Sequence, residues 1–170
     1  MTNQEKNTYV KEQLTRALLE ELKDKELKDI SVSQLAEAAG VNRVSFYRSF
    51  KTKEDILTSW MHQTLTKWLE PYQEEEASAL SGNGYILRLF QYLKNYEDIY
   101  RRLYERGLLN LLRQTMLELN DPKSARLNYE AYGAAFVVNG MYGWIEEWIA
   151  RGMSDTPEEM YEFLESQKVN

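Results

Sequence analysis

Apolar residues recur along this chain at intervals of three and four, with almost no strict alternation. That spacing predicts helices throughout and no strand of useful length. Val10, Leu14, Ala17, Leu18 and Leu22 mark one face of a first helix over residues 4–24, and Leu27 and Ile30 return the chain to that face. Ser31 with Gln34 is a capping box opening a short helix over Val32–Ala39, and Gly40 stops it. Asn42 caps a third helix, Arg43 to Ser49. Thr52 with Asp55 caps a fourth that runs to about Glu70, where Pro71 interrupts the pattern.

Residues 71–84 (PYQEEEASALSGNG) read as a loop or helix break, with Glu74–Glu76 a solvated charge run. Helical periodicity resumes from Tyr85 to Tyr96. Two further helices, Glu97–Arg106 and Leu108–Leu119, meet at Gly107. Asp121-Pro122 starts a long helix ending near Arg151-Gly152, and Thr156-Pro157 opens a last one to about Gln167. The expected architecture is all-α with about nine helices. Residues 1–52 form an N-terminal three-helix domain, and residues 53–170 a C-terminal helical bundle with helix four as connector.

Composition narrows the functional classes. At 170 residues and 43% apolar content the chain can bury a real core. The absence of cysteine excludes disulfides, thiolate metal sites and cysteine nucleophiles, and fits a reducing cytoplasm. Residues 1–13 are polar and charged, so no signal peptide is expected. The best apolar run, Ala131 to Ile149, is broken by Asn139, Glu146 and Glu147, so no membrane span is expected. One histidine, no phosphate-cradling glycine loop and no metal-spaced cluster argue against an enzyme, a cofactor or a metal site. Adjacent Glu146 and Glu147 diverge on a helix, and His62 reads as a satisfied or exposed side chain.

The net charge of −6 opposes a nucleic-acid partner only until it is sorted by segment. Residues 1–57 hold ten basic and ten acidic side chains. Residues 58–170 hold eleven and seventeen, and so carry the whole −6. Between Ala38 and Lys53 stand Arg43, Arg48, Lys51 and Lys53 with no acid. Screening limits distant charge to ~8–10 Å, so such a patch can bind phosphate.

Residues 31–50, SVSQLAEAAGVNRVSFYRSF, place two short helices around an Ala-Gly-Val turn, the helix-turn-helix pattern. Leu35, Ala36 and Ala39 face Val41, Phe46 and Phe50. Arg43, Val44, Tyr47 and Arg48 then point outward, an odd set for a solvated helix and a suitable one for a major groove. Arginine pairs with guanine, valine touches a thymine methyl, and tyrosine reaches phosphate or sugar. Ser33, Ser45 and Ser49 are short donors for phosphate or base edges. Lys53, beside the N–H groups that open helix four, suits phosphate.

The stretch ISVSQLAEAAGVNRVSFYRSFKTKEDIL, Ile30 to Leu57, resembles the N-terminal signature of the TetR family of bacterial one-component regulators. Its marks are the A-x-x-A-G-V turn, the Phe46-Tyr47 pair, Phe50 and the K-x-K-E-D-I-L run. The resemblance implies a helix-turn-helix DNA-binding domain joined to an all-α ligand-binding and dimerisation domain. It makes Arg43, Val44, Ser45, Tyr47, Arg48 and Ser49 the recognition helix, with Ser31, Ser33 and Lys53 near the DNA backbone. Position 49 is serine where many relatives carry histidine. Tyr142–Met160, YGWIEEWIARGMSDTPEEM, is similar to the end of one TetR subgroup. That subgroup includes regulators of small ligands and some that act through a protein co-regulator.

The long helix is apolar around its circumference from Ala131 to Ile149, so more than one side must be covered. Small residues Gly133, Ala134 and Ala135, with Gly140 and Gly143, admit a two-fold copy, with Trp144 and Trp148 beside them; a monomeric bundle core is the alternative. A dimer also suits a pseudo-palindromic operator, whose half-sites lie ~34–36 Å apart. Tyr92, Tyr96, Tyr100 and Tyr104 recur every fourth residue and, with Phe136 and Asn139, outline a ligand pocket; core packing is the plainer reading. Asn139 needs a partner: ligand, dimer mate or neighbouring backbone. The expected function is a transcriptional repressor released by a small-molecule effector. One alternative is a regulator or activator that docks a protein co-regulator; another is a helical interaction module without DNA binding.

Overall fold

The computed structural model describes residues 2–74, 83–120 and 127–166, and of residues 69–74, 83 and 84 the backbone alone. The described residues form nine α-helices and a short 3-10 turn, Leu27–Asp29, with no strand. The helices are α1 Asn3–Glu21, α2 Val32–Ala38, α3 Arg43–Ser49, α4 Glu54–Glu74, α5 Asn83–Asn95, α6 Glu97–Glu105, α7 Asn110–Asn120, α8 Asn128–Ala150 and α9 Pro157–Ser166. Contacts divide the chain within α4 into residues 1–62 and 63–170.

In the first unit α1, α2 and α3 pack pairwise on one another. The apolar stripe of α1, Val10, Leu14, Ala17 and Leu18, is buried as its spacing requires. Leu27 and Ile30, Leu35 and Ala36, Phe46 and Phe50, and Ile56, Leu57 and Met61 complete the core. α1 stops at Glu21, three residues short of the expected end. Lys23 and Asp24 there bond back only three residues, to Glu20 and Glu21, which tightens the last turn out of the α form.

The second unit is built on α8, which packs against α6 and α7, while α5 packs against α6 and α9. Phe90 of α5 meets Trp148 of α8 edge to face at 5.5 Å. The indole N–H of Trp148 donates to the Asp155 carbonyl at 3.1 Å. Gly152 and Met153 turn the chain there with φ of 77° and 52°. The Lys94 ammonium holds that turn by donating to the Met153 carbonyl at 2.6 Å. Thr156 then caps α9 reciprocally with Glu159: the hydroxyl accepts at 3.2 Å and the carboxylate at 2.7 Å.

Pro71 does not end α4, which continues three residues beyond it to Glu74. A proline removes one intrahelical donor, and α4 accommodates that loss within its final turn. Of the rest of the expected loop, residues 75–82 lie outside the described residues, as do the Asp121-Pro122 start and Gln167, while Asn83 and Gly84 already belong to α5, which starts two residues earlier than expected. α8 is first seen at Asn128, where the Glu130 carboxylate accepts from the Leu127 N–H at 3.1 Å. Among the described residues no helix is long and apolar enough to cross a membrane.

Candidate nucleic-acid interface

The presentation of α3 begins with its caps. The Ser31 hydroxyl accepts from the Gln34 N–H at 3.2 Å, and the Gln34 side chain accepts from the Ser31 N–H at 3.2 Å. Gly40, with φ of 64°, takes the left-handed position that ends α2. The Val41 N–H then closes back onto the Ala36 carbonyl at 2.9 Å. Asn42 accepts from the Ser45 N–H at 2.7 Å and starts α3. Phe46 is wholly buried, which fixes the rotation of the seven-residue helix.

That rotation turns Arg43, Val44, Tyr47 and Arg48 outward. Val44 is 75% exposed and Tyr47 51%, an apolar and an aromatic side chain standing in water between two arginines. The Arg43 guanidinium lies 5.5 Å from the Tyr47 ring centre and donates to its hydroxyl at 3.3 Å. Stacking of this kind restricts the cation to fewer rotamers while the side chain stays exposed. Tyr47 is held in turn by an edge-to-face contact with Phe46 at 5.1 Å.

The remaining expected contacts separate. Ser31 and Ser33 are exposed at the start of α2. Ser45 is buried, because i+3 from its Asn42 cap points inward, so its hydroxyl is off the outward face. Ser49 is half-buried and donates to the Asn7 side chain at 3.0 Å, tying α3 to α1. Lys53 differs most from expectation. Its ammonium donates to the Leu27 carbonyl and, at 2.6 Å, to the Ile30 carbonyl, clamping the start of α4 to the turn before α2. Its charge is spent inside the domain. Lys51 is the exposed cation at the α3–α4 turn instead, beside Arg48 along a shallow groove. The acid-free run from Ala38 to Lys53 contained that signal, but spacing could not say which lysine faces water.

Asp55 fixes the same turn by accepting from the Lys51 and Thr52 N–H groups, both at 2.9 Å. Burial works to raise its carboxyl, but these backbone bonds outweigh it and hold the group below the ordinary carboxylate value.

Lys53→Met is expected to leave two carbonyls short of a donor. The first unit should lose about 1–3 kcal/mol, read as a lower thermal midpoint. A phosphate role would instead leave the midpoint in place and remove about two units of salt slope from DNA binding by a dimer, one per copy.

In the second unit the expected pocket does not assemble as one. Tyr92 and Tyr100 are buried with their hydroxyls 3.1 Å apart, and the Tyr92 and Tyr96 rings lie 5.1 Å apart. Tyr104 is exposed. Phe136 is 80% exposed on α8. Asn139 is exposed too; its amide donates to the Ala135 carbonyl at 2.7 Å and its oxygen accepts from Arg113 at 3.3 Å. Of the residues assigned to a dimer face, Gly133, Gly140 and Gly143 are exposed and Ala134 and Trp144 half-buried. Trp148 is buried in its own unit's core and is not available to a partner. Among the clefts that open on this unit, two are the larger. One of about 570 Å³ lies along α8 and α9 and includes Asn139, Gly143, Trp144 and Phe163; the other, of about 650 Å³, lies between α4 and α5.

A capped, glycine-turned helix pair showing two arginines, a valine and a tyrosine defines a helix-turn-helix DNA-binding protein. Residues 14–59 match the family model described as bacterial regulatory proteins, tetR family. Residues 83–166 match that of a transcriptional regulator C-terminal region. The fold is similar to that of FadR from Thermus thermophilus, a TetR-family transcriptional repressor solved in complex with lauroyl-CoA. The TM-score is 0.60 at 16% identity, over 94% of this chain and 96% of that one. Among curated proteins no sequence match is found. This chain belongs to the TetR family of transcriptional regulators.

Proposed function

We propose that this regulator is a repressor that binds a pseudo-palindromic operator as a homodimer and is released by a small-molecule effector. The observation that carries DNA reading is the outward face of α3: Arg43, Val44, Tyr47 and Arg48 exposed together, with Lys51 beside them. The arginines suit guanine O6 and N7, Val44 a thymine methyl, and Tyr47, Ser31, Ser33 and Lys51 the sugar-phosphate backbone.

The exposed face of α8 supports the dimer. Tyr129, Tyr132, Phe136 and Val137 are all large, apolar and exposed, with Gly133 and Gly140 between and beyond them. A contiguous apolar surface of this kind marks an interaction site. A two-fold axis across it lets Phe136 of one chain pack over the glycines of its partner.

The lauroyl-CoA bound by FadR and the open clefts of the second unit support a small-molecule effector. α4 lines one cleft with its later residues and begins at the Lys53 clamp. An effector that shifts α4 therefore has a mechanical route to α2 and α3, and acts by favouring one of two arrangements. A protein co-regulator is the second reading, favoured by the exposed Phe163 at the α8–α9 cleft.

Selection from random duplexes tests the core of this reading. The purified chain should enrich a sequence with two-fold symmetry and half-sites about one helical turn apart. Enrichment of nothing, or of a single unpaired half-site, rejects it.

A further inference from the structure

Two side chains of α1 stand at the carboxyl end of α3. Ser49, the last residue of α3, donates its hydroxyl to the Asn7 Oδ1 at 3.0 Å. Phe50, the next residue, is buried, and the Lys11 ammonium lies 5.7 Å from its ring centre. Asn7 and Lys11 are both half-buried and stand four residues apart, so they share one face of α1 with Cβ atoms about 5–6 Å apart. Ser49 and Phe50 also line the shallow groove that holds Arg48 and Lys51, both exposed. The α1 pair therefore borders the corner at which those two cations stand.

Both side chains keep donors in reserve. The bond from Ser49 uses the Asn7 oxygen, and the Asn7 amide N–H groups have no partner among the described residues. The contact with Phe50 restrains the Lys11 stem but uses none of the three donors of its ammonium. Among the described residues Lys11 is in no ion pair, whereas Lys23 and Lys25, beyond the far end of α1, pair with Glu20 and Glu21 at 2.6 and 2.5 Å. The sequence accounts for the difference, because no acid stands three or four residues from Asn7 or Lys11. Glu12 follows Lys11 directly and so lies about 100° further round the helix. Asp55, the carboxylate that lines the groove, already accepts from the Lys51 and Thr52 N–H groups at 2.9 Å. A neutral amide donor beside an unpaired cation suits a phosphate diester.

We infer that α1 adds a third helix to the DNA contact: the Asn7 amide and the Lys11 ammonium together hold one backbone phosphate of each half-site, next to the stretch faced by Arg48 and Lys51. The site rests on DNA reading by α3 and adds to it a contact with no sequence preference of its own. It makes Ser49 a positioning residue, because the bond from Ser49 fixes which end of the Asn7 amide accepts and leaves the N–H end to donate.

Titrations of the full chain with the selected operator and with a duplex of random sequence, from about 50 to 200 mM salt, test this. Lys11→Met keeps a stem on Phe50 and removes the charge. Its log–log slope should be shallower than the parent's by about two units, one per copy, with operator and random duplex weakened alike. Lys11→Arg should keep the parent slope. Lys23→Met makes the same change of net charge about 18 Å further along the α1 axis and should leave the slope unchanged. Asn7→Asp keeps an oxygen to accept from Ser49 and exchanges the donating end for a second carboxylate oxygen. Below the thermal midpoint of every variant, it should bind both duplexes about tenfold or more weaker than the parent. If Asn7 only tied α1 to α3, the aspartate would serve as well, so parental affinity in Asn7→Asp overturns the site. An unchanged slope in Lys11→Met, or an equal loss of slope in Lys23→Met, does the same. A parent slope near zero rejects DNA reading by α3 together with the site, whereas a steep parent slope that survives Lys11→Met rejects the site alone.

Discussion

Arg43→Ala should cost the dimer about 2–6 kcal/mol of operator affinity, roughly thirtyfold to twenty-thousandfold, with no change in thermal midpoint. A bidentate arginine–guanine contact contributes about 1–3 kcal/mol of discrimination, and a two-fold complex contains it twice. Arg43 is exposed and its only protein partner in α3 is Tyr47, so its removal leaves the fold untouched. Tyr47→Ala should show a similar loss, because it removes a contact surface and also releases Arg43 from its stack. Tyr47→Phe separates the two effects. It keeps the ring and its edge-to-face contact with Phe46, and should lose about 1 kcal/mol per half-site for the hydroxyl. Titration of the selected operator by fluorescence anisotropy reads all three. If Arg43→Ala and Tyr47→Ala bind as tightly as the parent chain at physiological salt, α3 is not the reading head.

Phe136→Glu should convert the dimer into single 20.1 kDa chains at micromolar concentration. Phe136 is 80% exposed within its own chain, so the substitution does not disturb the core formed by Val138, Ile145 and Ile149. In a two-fold contact the same residue is buried against its partner, and the glutamates of both copies would be desolvated close together. Light scattering should give the mass of one chain with an unchanged helical spectrum. Operator affinity should fall by roughly a hundredfold or more, because the second half-site no longer binds as an intramolecular event. A Phe136→Glu chain that stays dimeric places the dimer contact elsewhere.

Much of the DNA-binding unit was legible because its signals are local. A capping box at Ser31, a left-handed glycine at position 40 and an Asn42 cap fix where α2 and α3 begin and end. Phe46 then sets which face turns out. Side-chain reach was not legible. Lys53 has the charge and position for phosphate, yet its long stem finds two carbonyls some twenty residues back in sequence, and periodicity cannot reveal such a contact. Ser45 shares the serine pattern of its neighbours but lies on the inward edge of the helix.

The second unit was legible as helices and much less as a site. The four-residue tyrosine spacing crosses the break between α5 and α6, so Tyr92 and Tyr100 meet while Tyr104 faces water. Phe136 looked like a pocket wall because an apolar residue on an apolar helix carries no mark of which side it faces. Trp148 looked like an interface residue for the same reason and is core.

The most direct measurement is the salt dependence of operator affinity. Between about 50 and 200 mM salt, a dimer that sets two copies of Arg43, Arg48, Tyr47 and Lys51 on DNA should show log affinity falling linearly with log salt, with a slope of roughly −4 or steeper. The Lys51→Ala chain should lose about two units of that slope, one for each copy's phosphate contact. A slope near zero for the parent chain would contradict DNA reading by the outward face of α3.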